Sequence, residues 1–549
     1  MSMKNPVEML LQWAKERPNQ VWLHQPVNGV WKTHTWAECE AQVRSMATAL
    51  RGLGLPAGAR IAISGRNTAH WFMADLAIAM AGYVSVGLYP KQAPDAVKFI
   101  LQHSDSKVLF VGPMPDADDF MKAVPEGITK IAFPYPDVVP CEKKWDDLVR
   151  ASEPFAGYRA PDPKALWTLV YTSGTTGNPK GVMISGENLM FAAGGLMKAM
   201  PAQGAERFFS YLPLAHAFER GAVELSSLYF GAEVHFLENL DKLAEQLKEV
   251  APTRFFGVPL VYGRIQTGIL KKMPQQKLDR LLKLPIISGI IKKKIKQGVG
   301  LQNARYLFVG AAPMPIPLMN WLEKLGITVL QGYGMTENNI YATANQPGAN
   351  RVGSVGRAMP GADMRIAEDG EIQYRHPGVT AGYYLDAEKT AELFTADGWL
   401  RTGDKGRIDE DGYLYITGRT KDIFKTLKGK YVAPAPIEGA LARNTDIDQL
   451  CFVGAGLKQP IMIVTLTPPA LARSRPEVEK QLIADMEAVN ATLEPHEEIA
   501  KIIVAKDAWT IDNGIMTPTM KVKRNEVEKK YGALLEKHAA NPKEKVVWE

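Results

Sequence analysis

The feature that most constrains this chain is the recurrence of short β-branched or aromatic runs separated by stretches long enough for a helix. Arg60–Ser64, Tyr83–Leu88, Lys107–Val111, Lys130–Phe133, Arg254–Val258, Arg305–Val309 and Ile327–Leu330 are each of strand length. Such alternation predicts largely parallel sheets covered by helices. Sheets of that kind place ligand sites in the loops at the carboxyl ends of their strands. From about Asp363 the texture changes to shorter, turn-punctuated runs, as in Gly370–Tyr374 and Gly412–Thr417. A basic stretch with Lys421, Lys425, Lys428 and Lys430 then precedes a new pattern: a strand over Ile461–Leu466 and an amphipathic helix over Glu477–Leu493. A chain of 549 residues exceeds what one core supports. The expected fold class is therefore α/β, with a large N-terminal α/β domain of several subdomains over residues 1–420 and a small C-terminal α+β domain over 421–549.

Composition narrows the function classes. At 46% hydrophobic and 23% charged the chain is globular rather than disordered. Cys39, Cys141 and Cys451 lie far apart, with neither paired-ligand spacing nor a disulfide framework, which reads as reduced thiols in the cytoplasm. Glu8, Lys15 and Glu16 break the opening segment, so no secretory signal is expected, and a short amphipathic helix is read around Val7–Ala14. Trp71–Pro90 is the most apolar long stretch, but with Asp75 inside it reads as a helix and a buried strand rather than a membrane span. Between Lys271 and Gly300 nine basic side chains face one acid, Asp279. The segment carries +8 of a chain total of +6, leaving about −2 elsewhere. A local patch of this sort suits an anionic surface and argues against a general nucleic-acid binder. Its interleaved Leu281, Leu282, Leu284, Ile286, Ile287, Ile290 and Ile291 fit either peripheral contact with an anionic membrane or an exposed helical hairpin over a substrate tunnel.

The strongest local chemistry lies in Tyr171–Gly181, directly after the apolar run Ala165–Val170. Within eleven residues it holds three glycines and the hydroxyls of Thr172, Ser173, Thr175 and Thr176. Gly174 and Gly177 let the backbone approach an anion closely, N–H groups and hydroxyls bind phosphate oxygens, and Lys180 adds a point charge. Walker A spacing is excluded by Pro179.

This segment resembles the phosphate loop of the adenylate-forming superfamily, which includes acyl- and aryl-CoA synthetases, nonribosomal adenylation domains and firefly-type luciferases. Other segments resemble the family's remaining motifs in the same order, from about Trp36 to Tyr531. Tyr211–Arg220 resembles the second core motif in its long-chain fatty acyl-CoA synthetase form. The resemblance implies that His216 lies beside the carboxylate and the α-phosphate, and that Phe218, Phe256, Val258 and Gly332 line an acyl pocket. Gly310, Ala311 and Ala312 would form one side of an adenine slot. In Gln331–Glu337, Gln331, Gly332 and Gly334 would frame the nucleotide while Tyr333 stacks on adenine. Thr336 would contact the α-phosphate, and Glu337 with Thr172 would hold Mg²⁺, for which carboxylate and hydroxyl oxygens are natural ligands. Asp404 would accept the ribose hydroxyls, Arg419 would contact ribose or phosphate, Lys421 would be the hinge, and Lys428 and Gly429 would line a CoA channel. Lys521, in Thr-Pro-Thr-x-Lys context, would be the mobile catalytic lysine. The chain departs from the family at Gly186-Glu187-Asn188, where a His is common, and at Asn338-Asn339; both positions are expected to bear on substrate choice.

The implied fold is acyl-CoA synthetase/luciferase-like and the implied activity is ATP-dependent formation of an acyl-CoA through an acyl-adenylate. ATP, Mg²⁺ and CoA are the implied cofactors, and a medium- to long-chain fatty acid the substrate. Aryl or other carboxylic acids, or loading of a carrier protein, stand as the alternative. A non-catalytic lipid binder would not need Lys180, Glu337, Asp404, Arg419 and Lys521 together. The expected partners are the acid, CoA, peripherally an anionic membrane at its inner face, and a second copy of the chain in a homodimer; nucleic acid is not among them.

Overall fold

The computed structural model describes residues 3–172, 178–517, 521–539 and 544–549. Among these residues, seven strands form one sheet in the order Lys143–Lys144, Thr129–Ala132, Ser106–Val111, Arg60–Ser64, Val84–Leu88, Leu166–Thr172 and Lys180–Ser185. All its pairings are parallel except the last, where Leu166–Thr172 runs antiparallel to Lys180–Ser185. A nine-stranded sheet has Leu330–Tyr333, Tyr306–Val309, Arg254–Gly257, Arg207–Ser210 and Glu233–Phe236 in parallel at its centre. At one end of it lies the hairpin of Val21–Val27 and Val30–Thr35. The predicted strand over Ile327–Leu330 falls instead on Leu330–Tyr333. Ile327 and Val329 are still buried, so the apolar run marks the approach to the strand and Gln331-Gly-Tyr the strand itself.

The apolar stretch from Trp71 divides into a helix, Ala69–Met80, and the strand Val84–Leu88. Every residue of that helix is buried, which explains why its sequence has no polar face. Thr68 caps it, its hydroxyl accepting the Trp71 N–H. Asp75 survives inside because its carboxylate is paired with Arg220, which also donates to Ser85 Oγ at 2.8 Å and Thr168 Oγ1 at 2.5 Å. Arg220 follows the motif that leaves strand Arg207–Ser210, whereas Ser85 and Thr168 belong to the seven-stranded sheet. One guanidinium thus ties the two sheets together. The approach is close: a Cβ on Gly87 would lie 3.0 Å from the Ala215 backbone.

Asp363–Ile366, Glu371–Arg375, Leu400–Ile408 and Leu414–Arg419 form an antiparallel four-stranded sheet. Beyond it, Ile447–Val453, Ile461–Leu466, Ile502–Val504 and Val546–Trp548 form a separate mixed sheet. Helices Pro434–Leu441 and Arg475–Asn490 bury Ile437, Val478 and Leu482 with Phe452, Met462 and Val464 in one core; a second contains Cys451, Ile463, Trp509 and Tyr531. Both cores draw only on residues from Phe424 onward. Lys91 reaches across to Asp512 at 2.8 Å. The three cysteines are free.

Candidate active site

Three side chains predicted to hold a nucleoside meet at one point. Tyr333 ends its strand, and its hydroxyl donates to Asp404 Oδ2 at 2.5 Å. Arg419 sits directly opposite Asp404 across the strand pair and donates from Nε to Oδ1 at 2.9 Å. Burial, reinforced by the Asp404 charge, raises the Tyr333 phenol far above its ordinary range, so it acts as donor. Gly310 follows strand Tyr306–Val309 and is buried, Ala311 takes a left-handed φ of 65°, and Ala312 is exposed. Gln331 is buried, and its carbonyl accepts from the Asn345 N–H. Gly334 admits no side chain, since a Cβ there would stand 2.5 Å from the Ile340 backbone.

Thr336 and Glu337 lie buried in the short turn Thr336–Asn338. Burial raises the Glu337 carboxyl, opposed by the Tyr383 hydroxyl, which donates to Oε1 at 2.8 Å, and by the charges of Lys180 and Arg419. Lys180 Nζ sits 4.7 Å from the centre of the same Tyr383 ring. Thr172 ends the strand directly opposite Lys180. A buried carboxylate with a raised pKa is what a divalent cation relieves, and Glu337 with the Thr172 hydroxyl is a hard-oxygen set that fits Mg²⁺. Ser173, Gly174, Thr175, Thr176 and Gly177 lie outside the described residues.

His216 caps a short helix, its Nδ1 accepting the Phe218 N–H at 3.1 Å. Burial, then the charge of Lys521, pushes its pKa down to about 3. A neutral ring that accepts at Nδ1 carries its proton on Nε2 and can donate from there. Beside it, Glu219 accepts from Ser210 Oγ at 2.7 Å and from the Tyr211 N–H at 3.0 Å. Burial lifts its carboxyl to about 8.

Lys521 comes from the C-terminal part, where its N–H donates to Thr517 Oγ1 at 3.0 Å. It keeps surface open to solvent, yet protein encloses it closely enough to depress its pKa to about 8. Arg419 adds to that depression, while Asp404 and Glu337 oppose it. The lysine therefore shares one electrostatic neighbourhood with His216, Glu337, Asp404 and Arg419.

Phe218 and Phe256 meet edge to face at 6.0 Å, and Phe218 packs on Gly310, where a Cβ would come within 3.3 Å of its ring. Gly332 pairs with Ala344 across strands. Val258 does not join them. It lies past the end of strand Arg254–Gly257, at the start of helix Pro259–Lys272, where the chain leaves the sheet, and packs against the core that holds Phe255 and Tyr262. Lys421 is exposed in the turn after Arg419, and Lys428 and Gly429 occupy an exposed hairpin turn between Phe424–Lys425 and Tyr431–Val432.

Two features escaped the sequence reading. Tyr383, which joins Glu337 to Lys180, is 46 residues from Glu337, and only the Gly382-Tyr-Tyr cluster hints at it. The two departures at Asn188 and Asn339 serve packing. Asn188 Nδ2 donates to the carbonyls of Pro377 and Val379 at 2.7 and 2.9 Å, and Asn339 Nδ2 donates to the Asn188 carbonyl at 3.1 Å.

Residues 10–384 match the AMP-binding enzyme family, and residues 421–541 match the AMP-binding enzyme C-terminal domain. The chain belongs to the AMP-binding enzyme family. It is 29% identical to the long-chain-fatty-acid–CoA ligase FadD15 of Mycobacterium tuberculosis, over 97% of this chain and 96% of that protein. It is 29% identical to the peroxisomal long chain acyl-CoA synthetase 6 of Arabidopsis thaliana, over 90% of this chain and 80% of that one. Among solved structures, the anthranilate CoA ligase AuaEII in complex with anthranoyl-AMP shares the fold, with a TM-score of 0.80 at 21% identity, covering 98% of this chain and 99% of that one.

The environment of Lys521 has a readable consequence. Its ammonium is present below a pKa of about 8 and lost as pH rises through it. For adenylate formation, kcat/KM should therefore fall above pH ~8, as expected for a free-enzyme group. His216, neutral down to about pH 3, should add no acid limb near neutrality. Lys521→Arg, whatever its absolute rate, should abolish the basic limb; a limb unchanged in that variant would assign it to another group.

Proposed function

We propose that this chain is an AMP-forming fatty acid–CoA ligase whose reaction centre is the meeting point of His216, Glu337, Asp404, Arg419 and Lys521. The observation that carries the reading is the convergence of Lys521, from the small C-terminal part, on charges supplied by the large part. In the first step a carboxylate oxygen of the acid attacks the α-phosphorus of ATP. An O–P bond forms, the bond to pyrophosphate breaks, and an acyl-adenylate remains. In the second step the CoA thiol attacks the acyl carbon and AMP leaves.

Two anions must approach each other in the first step, so positioning and charge neutralisation dominate. Lys521 and Lys180 supply positive charge, and His216 Nε2–H offers a neutral donor to the carboxylate. Asp404 and Tyr333 hold the nucleoside, and Arg419 bridges ribose and phosphate. Mg²⁺ held by Glu337 and Thr172 would neutralise phosphate charge. Phe218, Phe256 and Gly332 would face the acyl chain, while Val258, past the strand end, packs into the neighbouring core. For the second step the C-terminal part, residues 421–549, turns about Lys421 and brings Lys428 and Gly429 to the site.

The face formed by helices Gln275–Leu282 and Pro285–Gly298 belongs to the same proposal. Ile286 is 82% exposed and Leu284, Ile287 and Ile290 are exposed beside Lys283, Lys293 and Lys294. Among the described residues no helix is long and apolar enough to cross a membrane. An apolar tip ringed by lysines suits a peripheral seat on anionic lipid, each cation near the surface adding about 1 kcal/mol. Binding to phosphatidylserine vesicles at low salt should fall in Ile286→Asp and at high salt; absence of binding at low salt would reject the seat and favour a hairpin that only covers the tunnel.

Removing one preorganised charge from a reacting centre typically costs 10²–10³ in rate, about 3–4 kcal/mol. Lys521→Ala should slow pyrophosphate release with a fatty acid by about that factor, and spare thioester formation from a supplied acyl-adenylate and CoA. Lys421→Pro should show the reverse pattern, because a fixed φ hinders the turn. Lys523→Ala is the control, with little effect on either step. Equal loss of both steps in Lys521→Ala, or a worse defect in Lys523→Ala, would overturn the assignment.

A further inference from the structure

Far along the nine-stranded sheet from Tyr333, three side chains share one face in a pattern the ligase reaction does not use. His24 of strand Val21–Val27 stands in register with His235 of strand Glu233–Phe236. In-register neighbours point to the same face, and so does Glu233, two residues before His235. The two imidazoles stack with centroids 3.9 Å apart and planes within 7°. Glu233 Oε2 lies 3.6 Å from His24 Nε2, outside hydrogen-bond reach. One ligand atom from each of the three residues falls within 4.8 Å of the others.

A purely structural reading treats the group as a ring stack with a loose ion pair. That reading leaves His235 Nδ1 with no polar partner at all and His24 Nε2 with only the 3.6 Å ion pair, although both atoms are buried and neither makes a hydrogen bond. Buried polar atoms are ordinarily satisfied, and an orphaned ring nitrogen is a lone pair or a donor that has forfeited its water. Glu233 is about one-third exposed, which gives an ion a path in and leaves room for a water ligand. Arg207 Nε, 3.8 Å from Glu233 Oε2, is the competing cation and sets a limit on affinity.

We propose that His24, Glu233 and His235 form a zinc site that clips the N-terminal hairpin to the edge of the parallel sheet. Two imidazoles and one carboxylate are a donor set that Zn²⁺ favours, with a fourth position left to water. Parallel stacked rings set their nitrogens side by side, so binding requires rotation about χ2 until both lone pairs meet the ion at about 2.0–2.1 Å. The clip acts where backbone pairing is thin: between these two strands the paired positions are Leu23 with Val234 and His24 with His235. It is independent of the ligase reading, because none of its residues belongs to that centre.

The test uses the full chain, stripped of metal with a chelator and held in excess Mg²⁺ so that oxygen sites such as Glu337 are occupied. Calorimetric titration with Zn²⁺ should give one saturable equivalent per chain at micromolar affinity, and Co²⁺ should give visible d–d absorption of a four-coordinate site. Zn²⁺ should raise the melting temperature by several degrees and protect the hairpin 21–35 from proteolysis. His235→Ala and Glu233→Gln should lose all four responses. The near-isosteric His24→Gln, checked for native circular dichroism, should do the same if the alanine variant misfolds, and Cys141→Ser should keep them. Absence of saturable zinc binding in the wild type, or binding that survives in His24→Gln and Glu233→Gln, would overturn the proposal.

Discussion

The interaction on which the rest of the structure depends is the buried guanidinium of Arg220. It pairs with Asp75 of the enclosed helix and donates to Ser85 and Thr168 of the seven-stranded sheet. Glu224 stands 3.7 Å away on its other side. A charge so placed is tolerable only with nearly complete pairing, and removing one partner of such a group typically costs about 3–5 kcal/mol. Arg220 is also the first residue of a π-helical turn, Arg220–Leu225, four residues after His216. Irregular turns of that kind recur at functional sites. The same side chain that joins the two sheets therefore fixes the height and rotation of the segment carrying His216. Glu219, held by Ser210, Tyr211 and Asn67, secures that segment from its other side.

From this fixed frame the site gathers charge from segments remote in the chain. Lys180 starts a strand opposite Thr172, Glu337 lies in a turn after a parallel strand, and Asp404 and Arg419 face each other in an antiparallel pair. Lys180 begins its strand, Arg419 ends its strand and Glu337 lies beyond one, whereas Asp404 stands mid-strand in Leu400–Ile408, next to an irregularity in that ladder. Lys521 alone belongs to a part with its own cores, and its presence there depends on how that part is seated. A fixed set of charges on one part and one cation from the other is what the proposed two-step reaction would use, the cation serving the first step and leaving before the second.

Much of this was legible in the sequence because it is local. Strand-length apolar runs predicted the parallel sheets, and Ile461–Leu466 is a strand with those bounds. The helix read over Glu477–Leu493 runs over Arg475–Asn490, its start set by Pro476 and the Ser474 to Glu477 capping box. What could not be read depends on distance. Asp75 and Arg220 are 145 residues apart, and an acid in an apolar stretch says only that something must pair with it. Where a buried strand gives way to a helix is equally invisible, which is why Val258, just past the end of Arg254–Gly257, separates from Phe256 although two positions apart in sequence. Asn188 and Asn339 look like altered site residues until their hydrogen bonds reveal a joint between the helix Gly186–Ala199 and the Glu337 turn.

The central claim is that the acid attacks the α-phosphorus of ATP at this site. It is tested most directly by following oxygen. With a fatty acid labelled with ¹⁸O in both carboxylate positions, a complete turnover should place one labelled oxygen in the phosphate of AMP and leave pyrophosphate unlabelled. Label in inorganic phosphate with ADP as product, or AMP without label, would contradict an acyl-adenylate and with it the roles assigned to Lys521, Glu337 and His216.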